Sequence, residues 1–415
     1  MSKTPPTASS SQPSPSNGRL EVLDYVRGLA IIHIFLYHYY IEWFQGSFLI
    51  IPDGVAANIP RLQIFHDGGL LDILKNLFSF LWVYGFTSVN LFLLLSGFVL
   101  TYSALKSKSE IRTGGELLSF YVKKLKRLLV PFYITLLLGI AILFLRNLLY
   151  PSFSAMPIYS AWDVLKTLFV PFLVYDLTFL QKFNGDLWFI TLILQLYIIF
   201  PVLYYALKKY GVWRFIAACF MLTVAYRYVA TYYLDTAPMG VIFPATNSYR
   251  LFSFFLPRLF EFGLGMSLGY WQFKDSKTLE TLRGGWQFLT AVAIMLVGFS
   301  LNMYRGGWPL SDAIISIGLF ATLLNIGAFF ARISLLKTLM LKLSESSYEI
   351  YLLHHYLLNY LLMPLLIVLG IKNELGFWLG VPVFFIISTL VGMGGQRLST
   401  LFYSLTNTTS KNIPR

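Results

Sequence analysis

The chain has 415 residues, 57% of them hydrophobic and 12% charged, about half the charged share of an ordinary soluble domain. Mean hydropathy is +0.66, and apolar runs long enough to cross a bilayer recur along almost the whole length, which excludes a string of soluble domains in favour of one membrane domain. The formal net charge of +13 sits in short basic clusters between apolar runs, the pattern of cytoplasmic loops rather than of a nucleic-acid-binding face.

Residues 1–18 are rich in Ser, Pro and Thr without apolar periodicity and read as a disordered cytoplasmic tail, not a signal peptide. Ten spans are expected, at about 20–44, 79–104, 128–149, 185–207, 212–232, 251–271, 285–303, 311–330, 346–368 and 377–404. Backbone within lipid must satisfy its own hydrogen bonds, and these runs lack the alternation of barrel strands. The predicted fold class is therefore all-α, a polytopic helix bundle over residues 19–405 with a short tail at 406–415. Lys and Arg collect after even-numbered spans, as in Lys106, Lys108 and Arg112 or Lys208, Lys209 and Arg214, which predicts that both termini are cytoplasmic. Between Tyr150 and Gly185, the longest outer connection, the apolar stretch VLKTLFVPFLVYDLTFL reads as an interfacial or re-entrant helix. No internal repeat supports a transporter built on inverted halves. Cys219 is the only cysteine, so no intramolecular disulfide can form.

Ionisable groups inside spans are costly enough to be treated as functional candidates. The first span, LDYVRGLAIIHIFLYHYY, sets Arg27 and His38 about three turns and about 16 Å apart on one face. Asp24, one turn before Arg27, is expected to pair with it, whereas His33 lies about 140° around the helix from His38 and is the weaker candidate. An imidazole, with an ordinary pKa near 6.5, is suited to take the proton of an attacking hydroxyl. The alternative is that Arg27 snorkels to headgroups and His38 bonds between helices.

At the start of the third span, FYVKKLKRLLVPFY clusters Lys123, Lys124, Lys126 and Arg127, cations able to hold phosphates or simply to obey the positive-inside bias. Lys124 and Arg127 share a face. Arg258 and Glu261, one turn apart in the sixth span, are an expected ion pair, and Gly263 and Gly265 would allow a close helix approach. Trp43, Trp188 and Trp308 fit either an interfacial belt or a sugar platform. No GxSxG elbow, HExxH helix, Walker loop or CxxC pair occurs, so hydrolase, zinc, nucleotide and redox chemistries lack a motif, and no metal is expected.

Taken in order, these segments resemble the membrane acyltransferase type 3 family, which includes O-acetylating enzymes of surface glycans. LDYVRGLAIIHIFLYH resembles its first-helix signature, with Arg27 and His38 in the places of the functional pair. SVNLFLLLSGFVLTYS, FYVKKLKRLLVP, LWFITLILQLYIIFP and SSYEIYLLHHYLL resemble later blocks, the last two through Trp188 and through Tyr348, Tyr351 and His354. Three positions depart from the pattern: Lys124 stands where an arginine is usual, Asn90 where an acid is common and Ile193 where a glutamate is common.

The resemblance implies an enzyme of the inner membrane that moves an acyl group, most often acetyl, from cytoplasmic acyl-coenzyme A to a hydroxyl of an extracytoplasmic or lipid-linked glycan. It implies no tightly bound cofactor, a donor held at Lys124, Arg127 and Lys123, and catalysis by His38 with Arg27. Asp24, Trp188, Arg258, Glu261, Tyr348, Tyr351 and His354 are expected around the substrates. The rival reading is a non-enzymatic exporter or flippase for a glycan or lipid-linked sugar.

Overall fold

The computed structural model describes residues 20–44, 50–63, 65, 69–107, 114–150, 184–233 and 254–411. Among them there is no strand, only an isolated bridge between Asp53 and Tyr304. Apart from the single turn Thr278–Thr281, the α-helices are α1 (Glu21–Trp43), α2 (Val55–Leu62), α3 (Leu70–Val83), α4 (Ser88–Lys106), α5 (Gly114–Leu149), α6 (Trp188–Tyr210), α7 (Val212–Tyr232), α8 (Leu259–Lys274), α9 (Gly285–Asn302), α10 (Trp308–Phe330), α11 (Ser334–Glu345), α12 (Ser347–Leu357), α13 (Met363–Val368) and α14 (Glu374–Lys411). Among the described residues eight helical segments are long and apolar enough to cross a membrane. The other two expected spans are also helices, the polar-striped α1 and the 16-residue α8. The expected tail at 1–18 and the stretch at 164–180 lie outside the described residues.

Several boundaries differ from the sequence reading. The second span is two helices, α3 and α4, joined by the 3-10 turn Gly85–Thr87. Helix α5 starts at Gly114 rather than near 128, and α14 runs on through most of the expected C-terminal tail. Hydropathy detects only the apolar part of a helix, while Leu, Lys and Glu extend it past the apolar run at little cost. The ninth span is broken by a π turn, Leu358–Leu362, because Pro364 has no N–H for the carbonyl one turn back.

Helix α1 is the hub. Glu21 and Asp24 in its first turn complement the positive end of the helix, and it packs on α3, α4, α10, α11, α12 and α14. His33 locks it to the α3–α4 corner, donating from Nε2 to the Leu81 carbonyl at 2.7 Å and meeting Ser88 Oγ at 2.8 Å through Nδ1. His33 thus has a packing role. Helices α4 and α8 approach closely, since a Cβ added to Gly265 would stand 1.9 Å from the Leu94 carbonyl oxygen and one added to Gly97 2.2 Å from that of Phe262.

A buried ion cluster ties α7, α8 and α10 together. Asp312 pairs with Arg227 and, at 2.5 Å, with Arg258, while Arg258 also donates to Asn90 Oδ1 at 2.8 Å. The expected Arg258–Glu261 pair is present but long, at 3.9 Å. Asp312 is therefore the principal partner of Arg258, and Asn90 completes the set as a neutral acceptor where an acid would add a third carboxylate.

Candidate active site

The stripe on α1 opens onto two different environments. At its start Arg27 Nη1 lies 3.7 Å from Asp24 Oδ1, which accepts the Ser344 hydroxyl at 2.9 Å. Arg27 lines a cavity of about 310 Å³ with Ser96 of α4, Lys124 and Arg127 of α5, Phe189, Ile193 and Tyr197 of α6, Tyr348, Glu349 and Tyr351 of α12, and Tyr403 of α14. Pro131, on the same wall, interrupts the α5 hydrogen-bond ladder. The Tyr348 hydroxyl donates to the Leu128 carbonyl at 3.0 Å and Tyr403 to that of Lys126 at 2.7 Å, so two other helices clamp the basic turn of α5. Lys124 lies 5.8 Å from the centre of the Phe120 ring. Three cations thus converge on one mouth, a combination suited to anionic oxygens.

Farther along α1, His38 faces a second set. Its Nε2 lies 3.4 Å from Asp186 Oδ1, and the rings of His354 and His355 are 4.9 and 5.0 Å away. Asp186 occupies the 3-10 turn Gly185–Leu187. Asn184 holds that turn, accepting the Asp186 N–H at 2.9 Å and donating to the Leu352 carbonyl at 2.9 Å. The Tyr351 hydroxyl donates to the Asp186 carbonyl at 3.1 Å. His355 Nδ1 bonds Asp186 Oδ2 at 3.1 Å, and its Nε2 lies 3.3 Å from Glu42 Oε1. His354, almost wholly buried, donates from Nδ1 to the Tyr351 carbonyl at 2.7 Å and places Nε2 3.4 Å from Asp186 Oδ2.

An aromatic wall separates the two environments. Phe189 and Tyr351 line the cavity with ring centres 5.3 Å apart, and Tyr351 is 5.9 Å from the His354 ring on the far side. His38 is not part of the cavity lining. A carboxylate beside an imidazole fixes its orientation and supports the charge it gains on taking a proton. With Nε2 toward Asp186, Nδ1 of His38 is the nitrogen left for that work. The ligand atoms of His38, Asp186 and His354 lie within 4.8 Å of one another, a spacing that a divalent cation could also use.

The structure brings together Arg27, Lys124, Arg127, Tyr348 and Tyr351 at the cavity, Asp24 beside Arg27, and His38 with His354 behind the wall. Four expected residues stand elsewhere. Lys123 is exposed and absent from the lining, because it lies about 100° around α5 from Lys124. Trp188 is buried beside Phe189, which takes the wall position one residue on. Arg258 and Glu261 belong to the ion cluster with Asp312. The sequence reading missed Asp186, His355, Glu42 and Asn359. The signals available were the His-His pair in SSYEIYLLHHYLL and Glu42 one turn beyond His38.

A family model described as an acyltransferase domain matches residues 20–396, nearly the whole chain. No curated protein and no solved structure matches.

Proposed function

For a chain that belongs to the acyltransferase type 3 family, and is thereby a membrane acyltransferase, we propose that it takes an acyl group, acetyl in the first instance, from cytoplasmic acyl-coenzyme A. The group passes to a hydroxyl of an extracytoplasmic or lipid-linked glycan at the inner membrane. One observation carries this reading: a cavity lined by Arg27, Lys124, Arg127, Phe189 and Tyr351 meets the His38–Asp186 pair through Tyr351, whose hydroxyl donates to the Asp186 carbonyl. The cations suit the donor's phosphates. A volume of about 310 Å³ is at the small end for ligand pockets, room for the pantetheine arm with the nucleotide left at the mouth.

When Phe189 and Tyr351 admit the thioester, the acceptor oxygen attacks its carbonyl carbon while His38 Nδ1 takes the hydroxyl proton. The carbon–sulfur bond then breaks, and the leaving thiolate receives that proton, giving an ester and free coenzyme. Asp186 orients the ring and supports the imidazolium.

The test is release of coenzyme thiol by the purified protein, with the glycan product weighed by mass spectrometry. His38→Ala should abolish acceptor acylation while expression and membrane insertion persist. Full acylation by that variant would refute the assignment.

A further inference from the structure

Beyond the imidazoles, at the end of α1 away from Arg27, a polar group remains that the transfer step does not use. Glu42 Oε1 lies 3.3 Å from His355 Nε2 and 3.3 Å from Asn359 Nδ2. Exposure rises along this line: the side chain of Asp186 is 5% exposed, that of His355 19% and that of Glu42 33%. Asn359 Oδ1 is buried with no hydrogen-bond partner among the described residues, an expensive arrangement for an amide. Asn359 also sits in the π turn Leu358–Leu362, and such interruptions of an α-helix concentrate at functional sites.

We propose that Glu42 and Asn359 form the acceptor subsite and that its ligand is an uncharged polyol of sugar-ring size. This rests on the acyltransferase reading above. A hydroxyl is at once donor and acceptor, so it can give its proton to a Glu42 oxygen or to Asn359 Oδ1 while receiving the Asn359 amide N–H. His38 and His355 have ring centres 5.0 Å apart, and His355 in turn touches Glu42, so His355 is the shared neighbour that links the Glu42–Asn359 pair to His38. A neighbouring hydroxyl of the same polyol then meets His38. An apolar acceptor would strand the carboxylate and the amide, and an anionic one would face Glu42 and Asp186 together. Because Glu42 and His38 are one turn apart on α1, the subsite fixes which hydroxyl is presented.

The experiment uses the full chain in detergent with acetyl-coenzyme A as donor and methyl hexopyranosides as acceptors, reading thiol release with and without acceptor. In the native protein the hexosides should stimulate release. In Glu42→Gln and Asn359→Asp, which keep side-chain volume, the acceptor KM should rise at least ten-fold, with donor KM unchanged. An unchanged acceptor KM in both variants overturns the subsite, as does an equal loss of release with and without acceptor. Thiol release that no hexoside stimulates overturns the polyol assignment while leaving acyl transfer standing. Absence of any thiol release removes the acyltransferase reading and this proposal with it.

Discussion

Asp186 contacts three imidazoles and is anchored by Asn184 and Tyr351. Asp186→Asn preserves volume but replaces one acceptor oxygen with a donor and removes the charge that supports the imidazolium. Turnover should fall about 10²-fold or more, the range in which general-base assistance is worth losing, with donor KM little changed in steady-state assays. Dialysis against a chelator should leave native turnover intact, which separates this role from metal ligation. At the other mouth, Lys124→Ala or Arg127→Ala should raise donor KM about ten-fold, the scale of one charged hydrogen bond. Lys123→Ala, on an exposed side chain outside the lining, should leave it unchanged. That Arg27 and His38 share one helix was legible in the sequence, but that they open onto different environments, Arg27 on the cavity and His38 on Asp186, was not. Nor were Asp186, His355 and Glu42, since they meet across as many as 313 positions and only the packing of α1, α6 and α12 brings them together.

The same distinction holds for the elements. Among the described residues a helix stands at each of the ten expected spans, and eight helical segments are long and apolar enough to cross a membrane, because an apolar run of about twenty residues has few other solutions in lipid. The polar extensions of α5 and α14 escaped notice, since a helix that emerges from lipid continues on propensity and packing, neither of which hydropathy weighs. Small residues were legible as contacts but not as partners: Gly265 signalled a close approach, and the structure supplies the Leu94 carbonyl on α4. Gly265→Ala would drive a methyl group into that backbone oxygen. Overpacking of this kind costs about 1–3 kcal/mol, so the variant should show a lowered melting temperature in detergent, whereas Gly394→Ala, which meets nothing within 4 Å, should not.

Across the whole molecule, α7, α8 and α10 depend on one carboxylate. Asp312 is fully buried and balances both Arg227 and Arg258. Removing one partner of a buried ion pair costs about 3–5 kcal/mol, and here two guanidinium groups would be stranded together. Asp312→Ala should therefore abolish the well-folded monodisperse fraction in size-exclusion chromatography rather than lower turnover selectively. The sequence named Arg258 and Glu261 as partners because they are one turn apart, but burial favours the shorter contact from a distant helix. The shared helix of Arg27 and His38 has a consequence for inhibition. A rigid rod sets the reach from the cations to the imidazole, and no loop can shorten it. A donor mimic with its phosphates intact but its arm truncated would seat at the cations and fall short of the imidazole, occupying the enzyme without ever being consumed.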